Sequence, residues 1–355
     1  MFDLNKKQQE ILNIVVKDES LQSSEVFEKM SDVSLVTVKR ALSDMARLGL
    51  LNKSGSGRSV KYSIGIIGRI FLDIDARKYC SIDPDERFGL ARYNFEFLSS
   101  IPSELFSKDE INLLNNSTAN WQGKIKNITP VIQEKELKRF VIELAWKSSK
   151  IEGNTYSLVD TEQLILNNKE AKNRTKEETQ MILNHRDAFH TIFNNPDKYK
   201  KIKKGEIEEI HFLLTKDLKI KKGFRQSPVG ITGSIFRPLD NSYQISEAVD
   251  LLEKAITQAK SPFSKALIAL LGISYIQPFE DGNKRTARFT ANAILISNNL
   301  PPISYRSVDE RDYRDAILTL YEINSIIPIK KIFINQYDFT ANNYTIAINE
   351  KSRNI

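Results

Sequence analysis

Gln277-Pro278-Phe279-Glu280-Asp281-Gly282-Asn283-Lys284-Arg285-Thr286-Ala287-Arg288 is a short turn set between two helical patterns. The apolar run Ala266 to Ile276 leads into it, and a pattern from Arg285 to about Asn299 leads out. Between them lie a carboxylate, a Gly-Asn pair and a basic cluster. Free backbone N–H groups at a helix start, the helix dipole behind them and arginines alongside make an anion site. Local chemistry leaves a second reading open, because Gly-Asn turns with solvated charges also join ordinary helices.

A second stretch bears on the choice. Glu134 to Ile151 is a one-sided helix with Leu137, Phe140, Val141, Leu144 and Ala145 inward. It ends in Ser148-Ser149-Lys150-Ile151-Glu152-Gly153. Taken alone, this is a helix C-terminus closed by Gly153, with Glu152 a solvated acid set against the dipole.

Together the two stretches resemble the Fic (Fido) family. The first matches the signature H-P-F-x-D-G-N-G/K-R-x-x-R except at its leading residue, where Gln277 replaces the catalytic histidine. The second resembles the inhibitory motif S/T-x-x-x-E-G/N, carried here by Ser148, Glu152 and Gly153. The resemblance implies AMP transfer from ATP to a Ser, Thr or Tyr hydroxyl of a target protein. It implies that Asp281 holds Mg²⁺ on the nucleotide phosphates, a hard cation on a carboxylate. It places the anion hole on the backbone of Gly282, Asn283 and Lys284, and phosphate pairing on Arg285 and Arg288. Phe279 anchors the loop. Glu152 is expected to reach Arg288 and fill the space of the γ-phosphate, because a carboxylate and a phosphate compete for the same guanidinium fork.

Gln277 cannot act as the base, since an amide takes no proton near neutrality. Loss of a positioned base costs ~10²–10⁴ in rate. The expectation is therefore a nucleotide-binding site that is weak or silent as an AMP transferase, although a glutamine can still orient a nucleophile in phosphoryl-type chemistry. Lys284 stands where glycine is commonest. The Doc-like branch of the fold also has Asn-Lys-Arg and acts as a kinase, which makes kinase chemistry an alternative.

Upstream of the signature, Val229-Gly230-Ile231-Thr232-Gly233-Ser234-Ile235-Phe236 alternates and carries two glycines. It reads as a small β-hairpin, and it resembles the flap of the family, in which Val229, Ile231, Gly233 and Ile235 would receive a target peptide as an added strand. Helices are expected over Thr161 to Asn167, Lys176 to Ile192, Glu206 to Leu218, Ile245 to Ala259, Pro262 to Ile276, Arg311 to Leu320 and Lys330 to Thr340. His185, His190 and His211 have no metal-ligand spacing and read as core or surface residues.

The first 66 residues carry a different pattern. Leu4, Ile11, Leu12 and Val15 mark one helix, Ser23 or Ser24 caps a second through Met30, and Ser34 caps a third after the Ser31-Asp32-Val33 turn. Val36, Val38, Ala41, Leu42, Met45 and Leu48 are expected to be its buried side, with Gly49 as its stop. Leu50 and Leu51 begin a strand, Lys53 to Gly57 turn, and Val60 to Ile64 return. Three helices and a Gly-tipped hairpin resemble a winged helix-turn-helix. Thr37, Lys39 and Arg40 on the third helix and Lys53, Arg58 and Lys61 on the wing then form a face for double-stranded DNA. The same fold also serves protein contacts, including a homodimer.

The expected fold class is mainly α: a Fic-type helical domain with a small β-hairpin flap, preceded by a winged helix-turn-helix. The expected division is 1–66 winged helix, 67–130 helical connector, 131–340 Fic domain and 341–355 tail. Within the connector, Glu86 to Leu98 and Lys108 to Leu114 read as helices, and Asn115 to Lys126 as a polar loop pinned by Trp121.

Composition fits this reading. An apolar share of 41% and a charged share of 27% are those of a soluble globular protein. At 355 residues the chain is long for one core. A net charge of +7 permits phosphate contacts without establishing them. The single cysteine, Cys80, rules out an internal disulfide framework and fits a reducing compartment. The start of the chain lacks the apolar segment of a signal peptide, and no run approaches ~18 apolar residues, so a cytoplasmic protein without a membrane partner is expected. A DNA-binding regulator that uses the Fic-like domain as a nucleotide sensor or dimerisation module is the alternative function.

Overall fold

The computed structural model describes residues 4–31, 33–126 and 128–348. Asp32 of the expected turn and the tail beyond 348 lie outside the described residues. The fold is mainly helical, as expected, and the described residues hold one three-stranded sheet. The chain packs as two compact units. One holds residues 1–102, 230–238 and 315–330, and the other holds 103–229, 239–314 and 331–355. The expected connector 67–130 is thus split at Pro102. No described helix is long and apolar enough to cross a membrane.

In the first unit, α1 (Lys6–Val15), α2 (Ser23–Glu28) and α3 (Leu35–Arg47) pack with strands β1 (Leu21–Gln22), β2 (Leu51–Ser54) and β3 (Lys61–Ile64). Asn5 and Gln8 close a capping box on α1, and the Ser34 side chain accepts from the Thr37 N–H at the start of α3. The sheet is antiparallel in the order β1-β3-β2, with Leu21 and Lys53 both opposite Tyr62. Ile11, Leu12, Val15, Val26, Val38, Leu42, Met45 and Leu50 form the core. Two expected core positions are corrected: Val36 is 77% exposed and Leu48 is 45% exposed. The buried face of α3 follows Val38, Leu42 and Met45, spaced four and three apart, and Val36 falls off that stripe. Gly55 is required at the hairpin tip. Its φ is +78°, and a Cβ there would lie 2.5 Å from the Ser59 carbonyl oxygen.

The chain then continues in this unit through α4 (Ile66–Ile70), α5 (Ala76–Cys80) and α6 (Glu96–Ser99). The expected helix over Glu86 to Leu98 is absent except for the short α6. A buried charge knot holds this segment instead. Arg87 Nη1 donates to both Glu322 carboxylate oxygens (3.1 and 3.2 Å), and the Tyr79 hydroxyl donates to the same carboxylate at 2.6 Å.

The second unit begins with α7 (Lys108–Ile125). Asn115 to Ile125 is therefore helix rather than the expected loop. Ser107 and Glu110 form its capping box, and Leu114, Ser117, Thr118 and Trp121 form a buried stripe. The polar members are satisfied: Ser117 donates to Asp338 and Thr118 pairs with the Tyr337 hydroxyl, each at 2.6 Å. Next come α8 (Pro130–Ile151), α9 (Leu158–Asn167), α10 (Lys176–Asn194), α11 (Lys204–Thr215), α12 (Ser242–Gln258), α13 (Pro262–Ile276) and α14 (Asn283–Ser297). The helices α15 (Glu310–Ile323) and α16 (Ile327–Asn343) contribute residues to both units. From Ala266 to Ile276, α13 is buried on every side, as a helix at the centre of a core must be.

Candidate anion-binding site

The turn between α13 and α14 is built on two left-handed residues. Gln277 ends α13 with φ 52° and ψ 58°, and Gly282 begins α14 with φ 83°. A Cβ at Gly282 would lie 3.1 Å from the Thr215 methyl, so glycine is needed for both angle and space. Asn283 then locks the loop on itself, accepting from the Phe279 N–H and donating to the Phe279 carbonyl, each at 2.8 Å.

No side chain caps α14. Its first N–H groups have no intrahelical partner and point with the positive end of the dipole into the site. Arg285 is 2% exposed; its Nη2 donates to the Asp281 carboxylate at 2.9 Å, and its buried Nη1 has no partner. A buried guanidinium N–H without an acceptor is costly unless a ligand supplies one.

Glu152 ends α8 and lies against α14. Its Oε2 is 3.1 Å from Lys284 Nζ, and its Oε1 is 2.8 Å from Arg288 Nη1. The second is an ionic contact whose angle falls short of a good hydrogen bond. Burial alone would raise the Glu152 pKa. The facing charges of Arg288, Lys284 and Arg285 outweigh it and bring the carboxyl down from 4.5 to about 2. Arg288 is held on its remaining edges by Ser148: Nε donates to Oγ at 3.0 Å and Nη2 to the carbonyl at 2.9 Å. Tyr313 and Tyr305 lie 5.3 and 5.9 Å from the guanidinium carbon, ring faces toward it. Burial works against the Arg288 charge, but Glu152 and the two tyrosines more than compensate, so its pKa rises.

Two histidines without a role in the sequence reading serve this site. Burial lowers His211 to about 4, so it is neutral near pH 7. It donates from Nε2 to the Asp281 carbonyl (3.0 Å) and stacks on Phe279 at 3.7 Å. Burial lowers His185 to about 3. Its Nδ1 donates to the Met181 carbonyl at 2.7 Å, which leaves Nε2 to accept from the Ser148 hydroxyl at 3.0 Å. Arg225, which the sequence did not single out, carries the turn: Nε donates to the Gln277 carbonyl at 2.7 Å, and its own N–H donates to the Pro278 carbonyl. The Gln277 side chain folds back, its Nε2 donating to the Ser274 carbonyl at 2.7 Å.

The structure thus brings together Ser148, Glu152, Lys284, Arg285 and Arg288, and sets Asp281, 68% exposed at its side chain, at the rim. Gly153, with φ 94°, closes α8 behind Glu152. The expected hairpin at 229–236 is corrected: among the described residues the segment has a turn at Thr232–Gly233 but no strand. Side-chain bonds tie it down instead of a ladder. The Gly233 carbonyl accepts from Arg87 (2.8 Å), Ser234 donates to Glu322, and Phe236 stacks on Tyr321 at 5.4 Å. Val229 packs with the second unit, and Ile231, Gly233 and Ile235 with the first. Lys39, Arg40, Lys53, Arg58 and Lys61 are exposed on the first unit, whereas the Thr37 hydroxyl is engaged with Ser34 at 2.9 Å.

A family model described as Fic/DOC family matches residues 201–295, a span that includes α11, α13 and the turn. The chain carries a Fic/DOC family domain. A protein adenylyltransferase Fic from Nematostella vectensis is 27% identical over 188 residues, 52% of this chain and 44% of that protein. Protein adenylyltransferase fic-1 from Caenorhabditis briggsae is 28% identical over 123 residues, 34% of this chain and 24% of its own length. The chain therefore spans less than half the length of these relatives. Among solved structures, Fic-1 (aa134–508) of C. elegans aligns with a TM-score of 0.54 at 17% identity, covering 66% of this chain and 71% of that one. A Fic domain containing signaling protein from Bacteroides thetaiotaomicron aligns at 0.53 and 19%, covering 65% and 95%. These likenesses show the Fic fold. The turn from Gln277 to Arg288 lies inside the matched span.

Proposed function

We propose that the Fic domain binds ATP at the N-terminus of α14 and descends from protein adenylyltransferases, with transfer weak or silent in the chain as it stands. The observation that carries this reading is a cluster of cations, buried Arg285 and Arg288 with partly exposed Lys284, around an uncapped helix start, filled by Glu152 and still short of one acceptor at Arg285 Nη1. Such a cluster calls for a polyanion. In the reaction, the target hydroxyl oxygen bonds the α-phosphorus as the bond to pyrophosphate breaks, and the hydroxyl proton needs an acceptor. Gln277 offers none, and its amide is engaged with Ser274. Glu152 occupies the terminal phosphate's partners, which makes it the inhibitory group, with Ser148 and Gly153 placing it.

Mg²⁺ fits the residues present. Asp281 offers one exposed carboxylate, the usual protein share of a magnesium held on phosphates. Bound there, the ion would neutralise phosphate charge. The segment with Val229, Ile231, Gly233 and Ile235 is assigned to the target peptide, and the setting to a reducing cytoplasm. Labelled ATP with Mg²⁺ should mark nothing in this chain, and Gln277→His with Glu152→Gly should mark itself or a partner. Silence from that double variant, with ATP binding intact, would reject the transferase reading.

A second function rests on the exposed basic residues of the first unit. Read as a winged helix, its three helices and hairpin would lay α3 in the major groove, with Lys53, Arg58 and Lys61 on phosphate. Duplex binding that weakens as salt rises is expected, and affinity insensitive to salt would exclude it.

A further inference from the structure

Lys284 and Arg288 are four residues apart on α14 and so share a face. Two like charges at that spacing repel, and positive charge in the first turn of a helix opposes the dipole. Lys284, the second residue of α14, is placed against both rules. The arrangement is stable because one carboxylate bridges the pair, Oε2 to Lys284 and Oε1 to Arg288. Without Glu152 the two cations and the unpaired Arg285 Nη1 would face the same space with no anion among them.

We propose that Lys284 is an exchangeable cation with two partners: it holds Glu152 when the site is shut and the terminal phosphate of the nucleotide when Glu152 leaves. Lys284 then sets the preference for a triphosphate over a monophosphate, and it strengthens the lock that keeps the triphosphate out. Its geometry suits both tasks. The backbone of Lys284 is fixed in the helix, while its side chain is 38% exposed and carries the ammonium on a flexible stem that can follow whichever anion is present. Arg288 is completely buried and held by Ser148, so it stays where it is. This inference rests on the ATP-binding reading above.

The test is a shift that depends on the background. ATP·Mg²⁺ and AMP are titrated calorimetrically into the full chain, Lys284→Met, Glu152→Gly and the double variant. In the native background, Lys284→Met loosens the lock as it removes the phosphate contact, so the two effects, each about fivefold, should cancel for ATP; with Glu152→Gly, only the loss remains, and ATP should weaken by about fivefold with AMP unchanged. Lys284→Arg should restore both behaviours. The same shift in both backgrounds, or an equal effect on AMP, overturns the inference. A thermal-denaturation cycle of Lys284→Met and Glu152→Gln, without nucleotide, reads the lock alone. Non-additive Tm shifts are expected, and additive ones remove the lock. If Glu152→Gly binds no ATP while the Tm cycle is non-additive, the ATP reading fails together with the phosphate role, and the lock stands as a structural ion pair.

Discussion

Glu152→Gln removes the charge from the centre of the site and keeps its shape. The carboxyl stands near 2 in the folded chain against an ordinary value of 4.5, which at about 1.4 kcal/mol per pH unit is worth about 3.5 kcal/mol, or about 3 once the 14% exposure of the side chain is allowed for. A depressed carboxyl contributes its full stability above the unfolded value and loses it as pH falls toward the folded one. The penalty of Glu152→Gln should therefore be about 3 kcal/mol and flat from about pH 5.5 to 8, then shrink by about half near pH 3.3. Urea denaturation of the two proteins across this range measures it. ATP·Mg²⁺ should act in the opposite sense and rescue the variant more than the parent, since it binds the folded state with the competitor weakened. A penalty below about 0.5 kcal/mol, or one that changes between about pH 6 and 8, would refute the reasoning. The first would mean the pair is no better than an exposed one, and the second that another group sets it.

Gly282→Ala should destabilise the chain by about 1–2 kcal/mol and weaken ATP binding, because φ +83° and the Thr215 methyl at 3.1 Å both oppose a Cβ; Tm and titration calorimetry report the two effects. His185→Phe leaves the Ser148 hydroxyl without its buried acceptor and should cost about 1–3 kcal/mol, with His185→Gln recovering part of it in the same denaturation assay. Arg40→Ala and Arg58→Ala should each lower the slope of log affinity for duplex DNA against log salt by about 1 in a titration series.

Most long helices of the second unit were legible from an apolar stripe or an apolar run, α7 beyond Leu114 excepted. The turn was legible because Gly282, Asn283 and the arginines are chemically distinctive. What escaped was set by partners distant in sequence. Ser117 and Thr118 read as loop residues until Asp338 and Tyr337 satisfy them from over 200 positions away. β1 is two residues long and exists only through Lys61 and Tyr62. His185 and His211 carry no spacing signal because each contacts a single hydroxyl or carbonyl of the site rather than a shared ion. The segment 229–236 has a hairpin's alternation, but Arg87, Glu322 and Tyr321 hold it, so sequence periodicity alone misassigned its backbone.

The cradle and the base are separable in this fold, and the hydrogen bonds say why. The turn is fixed through main-chain atoms: Arg225 on the Gln277 carbonyl, Asn283 on both groups of Phe279, His211 on the Asp281 carbonyl. None of these uses the Gln277 side chain, so position 277 can change without releasing the loop that presents the α14 N-terminus. Its backbone is left-handed at φ 52°, a conformation histidine tolerates at least as well as glutamine. Gln277→His therefore keeps every bond named above and gives up the side-chain bond to the Ser274 carbonyl. The lock is different in kind. It draws on Ser148 and Glu152 from α8 and on Lys284 and Arg288 from α14, and removing any one leaves a buried charge or polar group without its partner. Under the proposed function, position 277 can thus hold a glutamine without touching the bonds that fix the turn, while Glu152 and the cations it faces, each dependent on the other's charge, persist together.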